Sequence, residues 1–455
     1  MHKPVVRELL RLGWPVLIAQ IAVLANGVID TVMAGRYGTL DLAAVGVGAS
    51  VYITIFVAFM GVLLGLTPVV AQHAGAGRDA AIGEDVRQSM WLAVGLAVAA
   101  LAVLAFPGPI LAISRLDPEV EAKARDYLAA IAWGVPAALA FRVFTGFTTA
   151  VGMPRVVMAL NLGALALKVP LNALFMYGGF GLPAMGAAGL AAATSVIAWL
   201  IAIVAWTWVY VAPHYARFRV FAHVSPPRRS ALGHLAAVGL PIGLTFLVDV
   251  TAFTFMSLFI ARLGPLAIAG HQIAANLAAL TYMVPLALGN AAAVVVGQAI
   301  GANQYGRARR AGIVGMALGV ALAVPVGAVL YFGRSVIAGL YTNDAAVAAM
   351  AASLIALVAG YHLADALQGV VVNVLRGYKR TLVPMVVYAF ALWGVGLAGG
   401  YALGLTRVDL PLVAAVTPLG APGFWIAATA SVALAGVLVT AYFLQMSRMI
   451  APRPR

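Results

Sequence analysis

The sequence predicts an all-α integral membrane protein with twelve transmembrane helices in two pseudo-symmetric six-helix bundles. Of the 455 residues, 64% are hydrophobic and only 9% are charged, whereas about 25% are charged in an ordinary soluble domain. Twelve apolar stretches reach the length of about 20 residues that a helix needs to cross a bilayer. In addition, three segments of the first half recur in the second half at an almost constant offset.

The composition also excludes several classes of protein. The chain carries 28 Lys and Arg against 14 Asp and Glu, a net charge of +14. Such an excess would suggest nucleic acid in a soluble protein, but these charges are few and scattered, so we expect no nucleic-acid partner. The chain has no cysteine and no G-x-x-x-x-G-K-[ST] phosphate loop, and its 7 histidines are dispersed. We therefore expect neither an enzyme nor a protein-bound cofactor.

The predicted spans are long, and several exceed the thickness of the bilayer. Numbered in chain order, they lie near 10–35, 42–72, 88–106, 124–150, 155–177, 187–212, 233–262, 265–298, 309–331, 346–375, 381–404 and 421–446. Eight prolines lie in or near them: Pro15, Pro68, Pro136, Pro170, Pro241, Pro285, Pro325 and Pro384. Tilted or bent helices are therefore expected.

The basic residues orient these spans in the membrane. With the N-terminus inside the cell, cytoplasmic segments hold 19 of the 28 Lys and Arg, outer loops hold seven, and Arg142 and Lys168 lie within spans. Cytoplasmic loops of membrane proteins are enriched in Lys and Arg. We therefore expect both termini in the cytoplasm and place the protein in a bacterial inner membrane.

An internal repeat divides the chain into two halves. Three pairs of segments match at an offset of about 226: 13–20 with 239–246, 69–77 with 295–303, and 150–155 with 375–380. The predicted N-terminal lobe is 1–222, with spans 1 to 6, and the predicted C-terminal lobe is 223–455, with spans 7 to 12. An even number of spans in each half makes the halves parallel repeats, an arrangement found in transporters.

Three acidic residues fall inside spans, namely Asp30 in span 1, Asp249 in span 7 and Asp365 in span 10. A carboxylate is costly there and usually faces a cavity or a partner. Away from water it takes up a proton more readily, and carboxylate oxygens also suit hard cations. We predict that all three couple transport to a cation, with Asp365 and Asp249 as Na⁺ ligands if the ion is sodium. The alternative is a structural ion pair with Arg142 or Lys168.

Polar neighbours extend this candidate site. Tyr361 precedes Asp365 by four residues and so shares its helical face; we include it among the cation-coupling residues. Further candidate ligands or cleft residues are the polar side chains within spans 5, 6 and 8: Asn172, Thr194, Ser195, Gln272 and Asn276. For each of these, the alternative is a hydrogen bond that packs helices together.

Aromatic and methionine side chains indicate the kind of substrate. Phe253, Met256, Tyr282 and Met283 lie in spans 7 and 8. In a cleft they would hold flat apolar cations by stacking and cation–π contact. The alternative is packing against lipid or between helices.

These residues resemble the multidrug and toxic compound extrusion (MATE) family, specifically its NorM-type branch. The segments that carry the resemblance lie at 15–38, 41–48, 66–78, 240–253, 271–280 and 361–381. It covers essentially the whole chain. The resemblance implies a V-shaped pair of six-helix lobes and efflux of cationic, often aromatic compounds in exchange for Na⁺ or H⁺.

The resemblance also assigns roles. Asp30, Asp249 and Asp365 fall on the acidic positions of the family, and Tyr361 falls on a tyrosine next to the cation. The chain departs from the pattern at Asp249, where many members have Glu. It also has Met176 where another branch has a second aspartate, which favours a cation site in the C-terminal lobe.

We therefore predict a multidrug efflux secondary transporter that exports organic cationic or aromatic compounds in antiport with Na⁺ or H⁺, works as a monomer and needs no other cofactor. One alternative is a lipid-linked oligosaccharide flippase of the same superfamily, which would need several basic residues in its cleft, where only Arg142 and Lys168 are available. The others are a twelve-helix transporter outside this family, a channel and a structural membrane protein. The segment 73–88 lacks the G-x-x-x-D-R spacing of major-facilitator transporters.

Overall fold

In the computed structural model the chain is built almost entirely of helices, and the structure describes residues 3–113, 116–406, 408–410 and 413–450. The α-helices are α1 (Lys3–Tyr37), α2 (Thr39–Leu63), α3 (Leu66–Gly75), α4 (Asp79–Ala105), α5 (Gly108–Ile113), α6 (Pro118–Ala132), α7 (Val135–Ala150), α8 (Pro154–Tyr177), α9 (Ala187–Val211), α10 (Pro213–Ala216), α11 (Arg229–Ala261), α12 (Pro265–Gly301), α13 (Tyr305–Tyr341), α14 (Ala345–Gly377), α15 (Leu382–Ala389), α16 (Gly399–Leu405) and α17 (Ala421–Ile450). A π-helical segment, Phe390–Ala398, joins α15 to α16. Strands β1 (Val408–Leu410) and β2 (Val413–Val416) form an antiparallel hairpin before α17.

The predicted membrane fold is confirmed. Among the residues that the structure describes, eleven segments are long and apolar enough to cross a membrane, and the pair α6–α7 makes a twelfth if it is counted as one span. This pair is bent by 47°. The hairpin and the π-helical segment were not predicted from the sequence. Four basic residues of the predicted charge count, Arg115, Arg407, Arg453 and Arg455, lie outside the described residues.

The prolines act differently from one span to the next. Five lie inside continuous helices: Pro15, Pro170, Pro241, Pro285 and Pro325. Pro136 instead opens α7 directly after the bend, where a missing backbone N–H breaks no helical hydrogen bond. A Cβ on Gly134, at the bend, would lie 2.7 Å from the Cα of Ser195. Glycine therefore lets α9 approach the break closely.

By packing, the chain forms two compact units. The N-terminal unit is Ile18–Gly243, and the C-terminal unit comprises the described residues of Met1–Leu17 and Leu244–Arg455. The predicted lobes, 1–222 and 223–455, were defined by sequence repetition and not by packing. That division stays a prediction.

In the N-terminal unit, α9 packs against α6, α7 and α8. The segment after α10 is fixed to the start of α4 by Glu84, which receives hydrogen bonds from Arg87 at 2.7 Å and from Ser225 at 2.7 Å. Arg228 forms an ion pair with the other carboxylate oxygen of Glu84 at 2.5 Å. We call these four residues the Glu84 cluster. It holds the segment between α10 and α11 against α4.

In the C-terminal unit, α14 is the central helix, since it packs against α12, α13 and α17. Its last two turns, from Val370 to Gly377, are buried without interruption. A Cβ on Gly369 would lie 3.0 Å from the ring of Tyr282 on α12. The absence of a side chain at Gly369 thus lets the ring of Tyr282 pack closely against α14. Asp365 therefore lies on a helix that other helices contact on several sides.

Candidate functional site

The C-terminal unit contains a cavity of about 400 Å³ between α11, α12, α14 and α15. Its lining residues are Asp249, Val250, Phe253, Thr254, Ser257, Ala275, Ala278, Ala279, Tyr282, Met283, Tyr361, Asp365 and Tyr388. Six of these were predicted as site residues, and they come from three separate spans. The lining includes two carboxylates and no Lys or Arg.

The two carboxylates of the cavity differ in their surroundings. Tyr388 donates a hydrogen bond from its hydroxyl to Oδ1 of Asp249 at 2.7 Å. Asp365 is 6% exposed. In the part of the chain that the structure describes, no Lys or Arg forms an ion pair with either carboxylate. Their charge therefore remains available to a ligand.

Aromatic rings form one wall of the cavity. The ring of Tyr361 is perpendicular to the rings of Phe253 and Trp425, at centroid distances of 6.4 and 5.7 Å. Phe253 and Tyr361 also line a smaller cavity of about 30 Å³, together with Met256. Met256 therefore lies on the far side of this wall and not in the larger cavity.

Besides Met256, two predicted cleft residues of α12 do not line the cavity. Gln272 and Asn276 share an exposed face of α12. The side-chain oxygen of Asn276 accepts a hydrogen bond from the hydroxyl of Tyr341 at 2.9 Å. At Asn276 this is the helix-to-helix hydrogen bond that the sequence analysis left open as the alternative.

In the N-terminal unit, Asp30 forms an ion pair with a lysine. Nζ of Lys168 lies 2.9 Å from Oδ2 of Asp30 and donates a hydrogen bond to Oγ1 of Thr194 at 2.5 Å. Asn172 donates to Oδ1 of Asp30 at 2.7 Å. The structure thus brings together four residues that the sequence analysis singled out, and it favours the ion-pair alternative for Asp30.

Ser195 and Arg142 lie elsewhere in the same unit. Oγ of Ser195 donates a hydrogen bond to the carbonyl oxygen of Ala130 at 2.8 Å, which packs α9 against α6. Arg142 belongs to α7, and its Nε has no hydrogen-bond partner among the described residues. In the described part of the chain, neither side chain forms a hydrogen bond with the Asp30 carboxylate.

Sequence reasoning missed Tyr388, Thr254 and Ser257. Asp249, Phe253 and Ser257 follow one another at intervals of four, which places them on one face of α11, so helical spacing could have found Ser257. Tyr388 is one of 15 tyrosines, and nothing in its local sequence distinguishes it from the others. Only the packing of α15 against the rest of the unit brings it to Asp249.

This arrangement can hold a positive charge in two ways. The carboxylates can bind a hard cation or a proton, and they can also pair with an organic ammonium group. The rings of Phe253, Tyr282 and Tyr361 offer faces for flat apolar groups and for cations. One cavity therefore provides for both an inorganic and an organic cation.

Comparisons with known proteins agree with this architecture. The family model described as MatE matches residues 15–174 and 241–402. The chain is 42% identical over 446 residues to the probable multidrug resistance protein NorM of Aromatoleum aromaticum, covering 97% of this chain and 94% of that protein. It is 41% identical over 401 residues to the multidrug resistance protein PmpM of Pseudomonas aeruginosa, covering 88% of this chain and 84% of that protein.

The fold is shared with solved structures as well. The Vibrio cholerae MATE transporter VcmN in its bent form superposes with a TM-score of 0.86 at 17% identity, over 98% of each chain. At this identity the likeness concerns the fold alone. The family model covers well over half of the sequence, and the relatives match almost end to end. The chain belongs to the MatE family, the multidrug and toxic compound extrusion proteins that its motifs resemble.

Proposed function

We propose that this protein is a multidrug efflux transporter that exports organic cations in exchange for Na⁺ or H⁺, with Asp249 and Asp365 as the coupling residues. The observation that carries this proposal is the C-terminal cavity, where two carboxylates without basic partners face aromatic side chains. Its volume of about 400 Å³ lies in the range of cavities that bind drug-sized molecules. The relatives named above are multidrug resistance proteins, which supports the same function.

Coupling follows from competition for these carboxylates. A Na⁺ ion or a proton on Asp365 neutralises the charge that an organic cation would need, so the two ligands weaken each other's binding. Such reciprocal weakening is a coupling free energy between ligands. Uptake of the inorganic cation would then drive release of the organic one. Tyr361 would position the ligand beside Asp365, and Tyr388 would hold the carboxylate of Asp249.

The lining of the cavity disfavours the flippase alternative. A lipid-linked oligosaccharide carries phosphate groups, which basic side chains recognise. The cavity offers two carboxylates instead. The net charge of its lining therefore selects positive ligands.

We place the protein in a bacterial inner membrane as a monomer with both termini in the cytoplasm. The bacterial relatives and the many apolar spans support the membrane, and the excess of Lys and Arg in the predicted cytoplasmic segments supports the orientation. Export would then run from the cytoplasm outward.

The decisive experiment measures transport of a cationic dye, ethidium, into inverted membrane vesicles, where export from the cytoplasmic face appears as uptake. The sodium and proton gradients are imposed separately. The gradient that supports transport identifies the coupling ion. We expect Asp365→Asn to abolish gradient-driven transport while the protein still inserts, because this change removes the charge and keeps the shape. Full transport by Asp365→Asn at normal membrane abundance would refute the assignment.

A further inference from the structure

A buried lysine lies beside the acidic residue of the N-terminal unit. Lys168 is 2% exposed, and its ammonium contacts both Asp30, at 2.9 Å, and Thr194, at 2.5 Å. Asn172, one turn further along α8, donates to the other oxygen of the Asp30 carboxylate at 2.7 Å. Each carboxylate oxygen of Asp30 therefore already has a donor from α8.

An ammonium at this distance excludes a second cation. The group is a compact point charge on a flexible stem, and it is tethered, so it competes with dissolved ions as an intramolecular partner. Separating the pair would leave an uncompensated buried charge on each side, which is strongly unfavourable. A dissolved cation would have to displace the ammonium before it could bind Asp30.

Asp249 and Asp365, the carboxylates of the C-terminal cavity, have no such partner among the described residues. Arg376 is a buried basic residue on the same helix as Asp365, but it donates to the side-chain oxygen of Asn373 at 3.0 Å and lies 5.5 Å above the ring of Phe246. Among the described residues it forms no ion pair. The carboxylate of Asp30 is therefore paired with a buried basic side chain, whereas those of Asp249 and Asp365 are not.

We propose that Lys168 is a tethered counter-cation that withholds Asp30 from the transported ion and so confines coupling to Asp249 and Asp365. This inference rests on the proposed function and specifies which unit performs it. It reassigns Asp30, which the sequence analysis counted among the coupling residues. It also gives Lys168 a role, as the residue that determines where the cation binds.

The surroundings of Asp30 predict what happens without the ammonium. The side-chain oxygens of Asn172 and of Asn26, one turn before Asp30 on α1, are buried without a hydrogen-bond partner in the described part of the chain. Oxygen atoms of this kind are the ligands that hard cations prefer. Removal of the lysine charge alone would therefore leave a carboxylate, with free oxygens near it, that can take up a dissolved cation.

The test counts bound cations in the purified full-length protein. Bound sodium is measured by equilibrium dialysis with radioactive Na⁺, and protons bound to carboxylates by the infrared band of protonated carboxyl groups, so that the proton of the lysine ammonium is not counted. We expect Lys168→Met to bind one cation more than the unchanged protein. The double variant Asp30→Asn/Lys168→Met should bind the same number as the unchanged protein, since it removes both charges. It should also retain gradient-driven ethidium efflux to within about twofold, because neutral replacement of a buried ion pair is often tolerated.

Three results separate the possible failures. An unchanged cation count in Lys168→Met would overturn the inference. Loss of coupled efflux in the double variant would also overturn the inference, provided that this variant still binds ethidium. If Asp365→Asn loses coupled efflux as well, the assignment of Asp249 and Asp365 as coupling residues would still stand. Full coupled efflux by Asp365→Asn would instead contradict the proposed function itself.

A charge-swapped variant covers the case in which Lys168→Met does not fold. Asp30→Lys/Lys168→Asp keeps one charge of each sign at the same place. We expect it to bind the same number of cations as the unchanged protein and to retain coupled efflux. If it binds ethidium but has lost coupled efflux, the inference is wrong. Lys168→Arg, which keeps the charge, serves as the control for the abundance of folded protein.

Discussion

The hydroxyl of Tyr388 holds the carboxylate of Asp249 through a hydrogen bond of 2.7 Å. Tyr388→Phe removes this hydroxyl and keeps the ring. A hydrogen bond to a charged group contributes about 1.5 to 3 kcal/mol, so we expect coupled ethidium efflux to fall by roughly tenfold or more. Initial rates in inverted vesicles measure the effect.

Tyr401→Phe is the matched control, since the ring of Tyr401 packs against Phe259 at a centroid distance of 5.2 Å and lies outside the cavity lining. We expect its efflux rate to equal that of the unchanged protein. Equal efflux rates in both variants would show that the hydrogen bond from Tyr388 to Asp249 does not affect coupled efflux.

Single residues differ in how far sequence predicts their roles. Asp249 and Asp365 stand out because a carboxylate in a membrane span is costly and therefore rare. Lys168 stood out for the same reason, but the sequence left open whether it pairs with Asp30. Tyr388 could not be found, since a tyrosine is ordinary in an apolar helix and its position beside Asp249 depends on tertiary packing.

On α14, two glycines with different surroundings provide a test of the cavity wall. A Cβ at Gly369 would lie 3.0 Å from the ring of Tyr282, whereas nothing lies within 4 Å of a Cβ at Gly360. We expect Gly369→Ala to push Tyr282 into the cavity and to weaken ethidium binding by several-fold, because close-packed interiors do not absorb an added methyl group freely. Fluorescence titration of the purified protein measures the dissociation constant.

Gly360→Ala provides the control on the same helix. Its ethidium dissociation constant should match that of the unchanged protein. A matching constant in Gly369→Ala as well would mean that the ring of Tyr282 moves away from the cavity without affecting the site.

The Glu84 cluster predicts how the segment between α10 and α11 responds to the loss of one charge. Glu84→Gln weakens the contacts to Arg87 and Arg228 while keeping the size of the side chain. We expect the folded protein to lose about 1 to 3 kcal/mol of stability, the usual cost of disturbing a partly buried charged hydrogen bond. We also expect trypsin to cleave after Arg217 or Arg219 more rapidly.

Glu121→Gln tests the specificity of this result. Glu121 pairs with Arg125 on the surface of α6 at 2.6 Å, and exposed pairs of this kind contribute little. Trypsin sensitivity of the segment after α10 should not change in this variant. If both variants are cleaved at the same rate, the Glu84 cluster does not hold the segment.

Helix existence was easier to predict than helix continuity. Hydrophobic length identified every span, because the bilayer sets the number of residues a helix needs. Proline alone did not identify the breaks, since five prolines sit in continuous helices and only Pro136 directly follows the bend between α6 and α7. The π-helical segment, Phe390–Ala398, has a composition that an α-helix would also accept.

For the whole chain, the distribution of basic residues predicts a fixed orientation. Because the chain has no cysteine, single thiols can be introduced one at a time. We expect a membrane-impermeant maleimide to label Asn343→Cys, before α14, in intact cells. It should label Gln304→Cys, before α13, only after the cells are opened. Labelling of Gln304→Cys in intact cells would reverse the orientation.

At the same scale, the sequence repeat predicted a duplicated membrane fold, because three matched segments kept one offset. The repeat could not predict how the two halves would diverge. Asp249 ended in a cavity without a basic partner, whereas Asp30 ended beside Lys168 on α8. Divergence of this kind depends on single substitutions that leave the hydrophobic pattern, and hence the fold, unchanged.

The Asp30–Lys168 pair also bears on how a membrane potential acts on the charges of the protein. A membrane potential does work of about 2.3 kcal/mol per elementary charge for every 100 mV, but only on charge that is not balanced nearby. Opposite charges 2.9 Å apart form a short dipole with no net charge for the field to displace. If the proposed coupling holds, the electrical component of the driving force would act on Asp249 and Asp365 and on the ions they bind, and the Asp30–Lys168 pair would contribute no net charge to it.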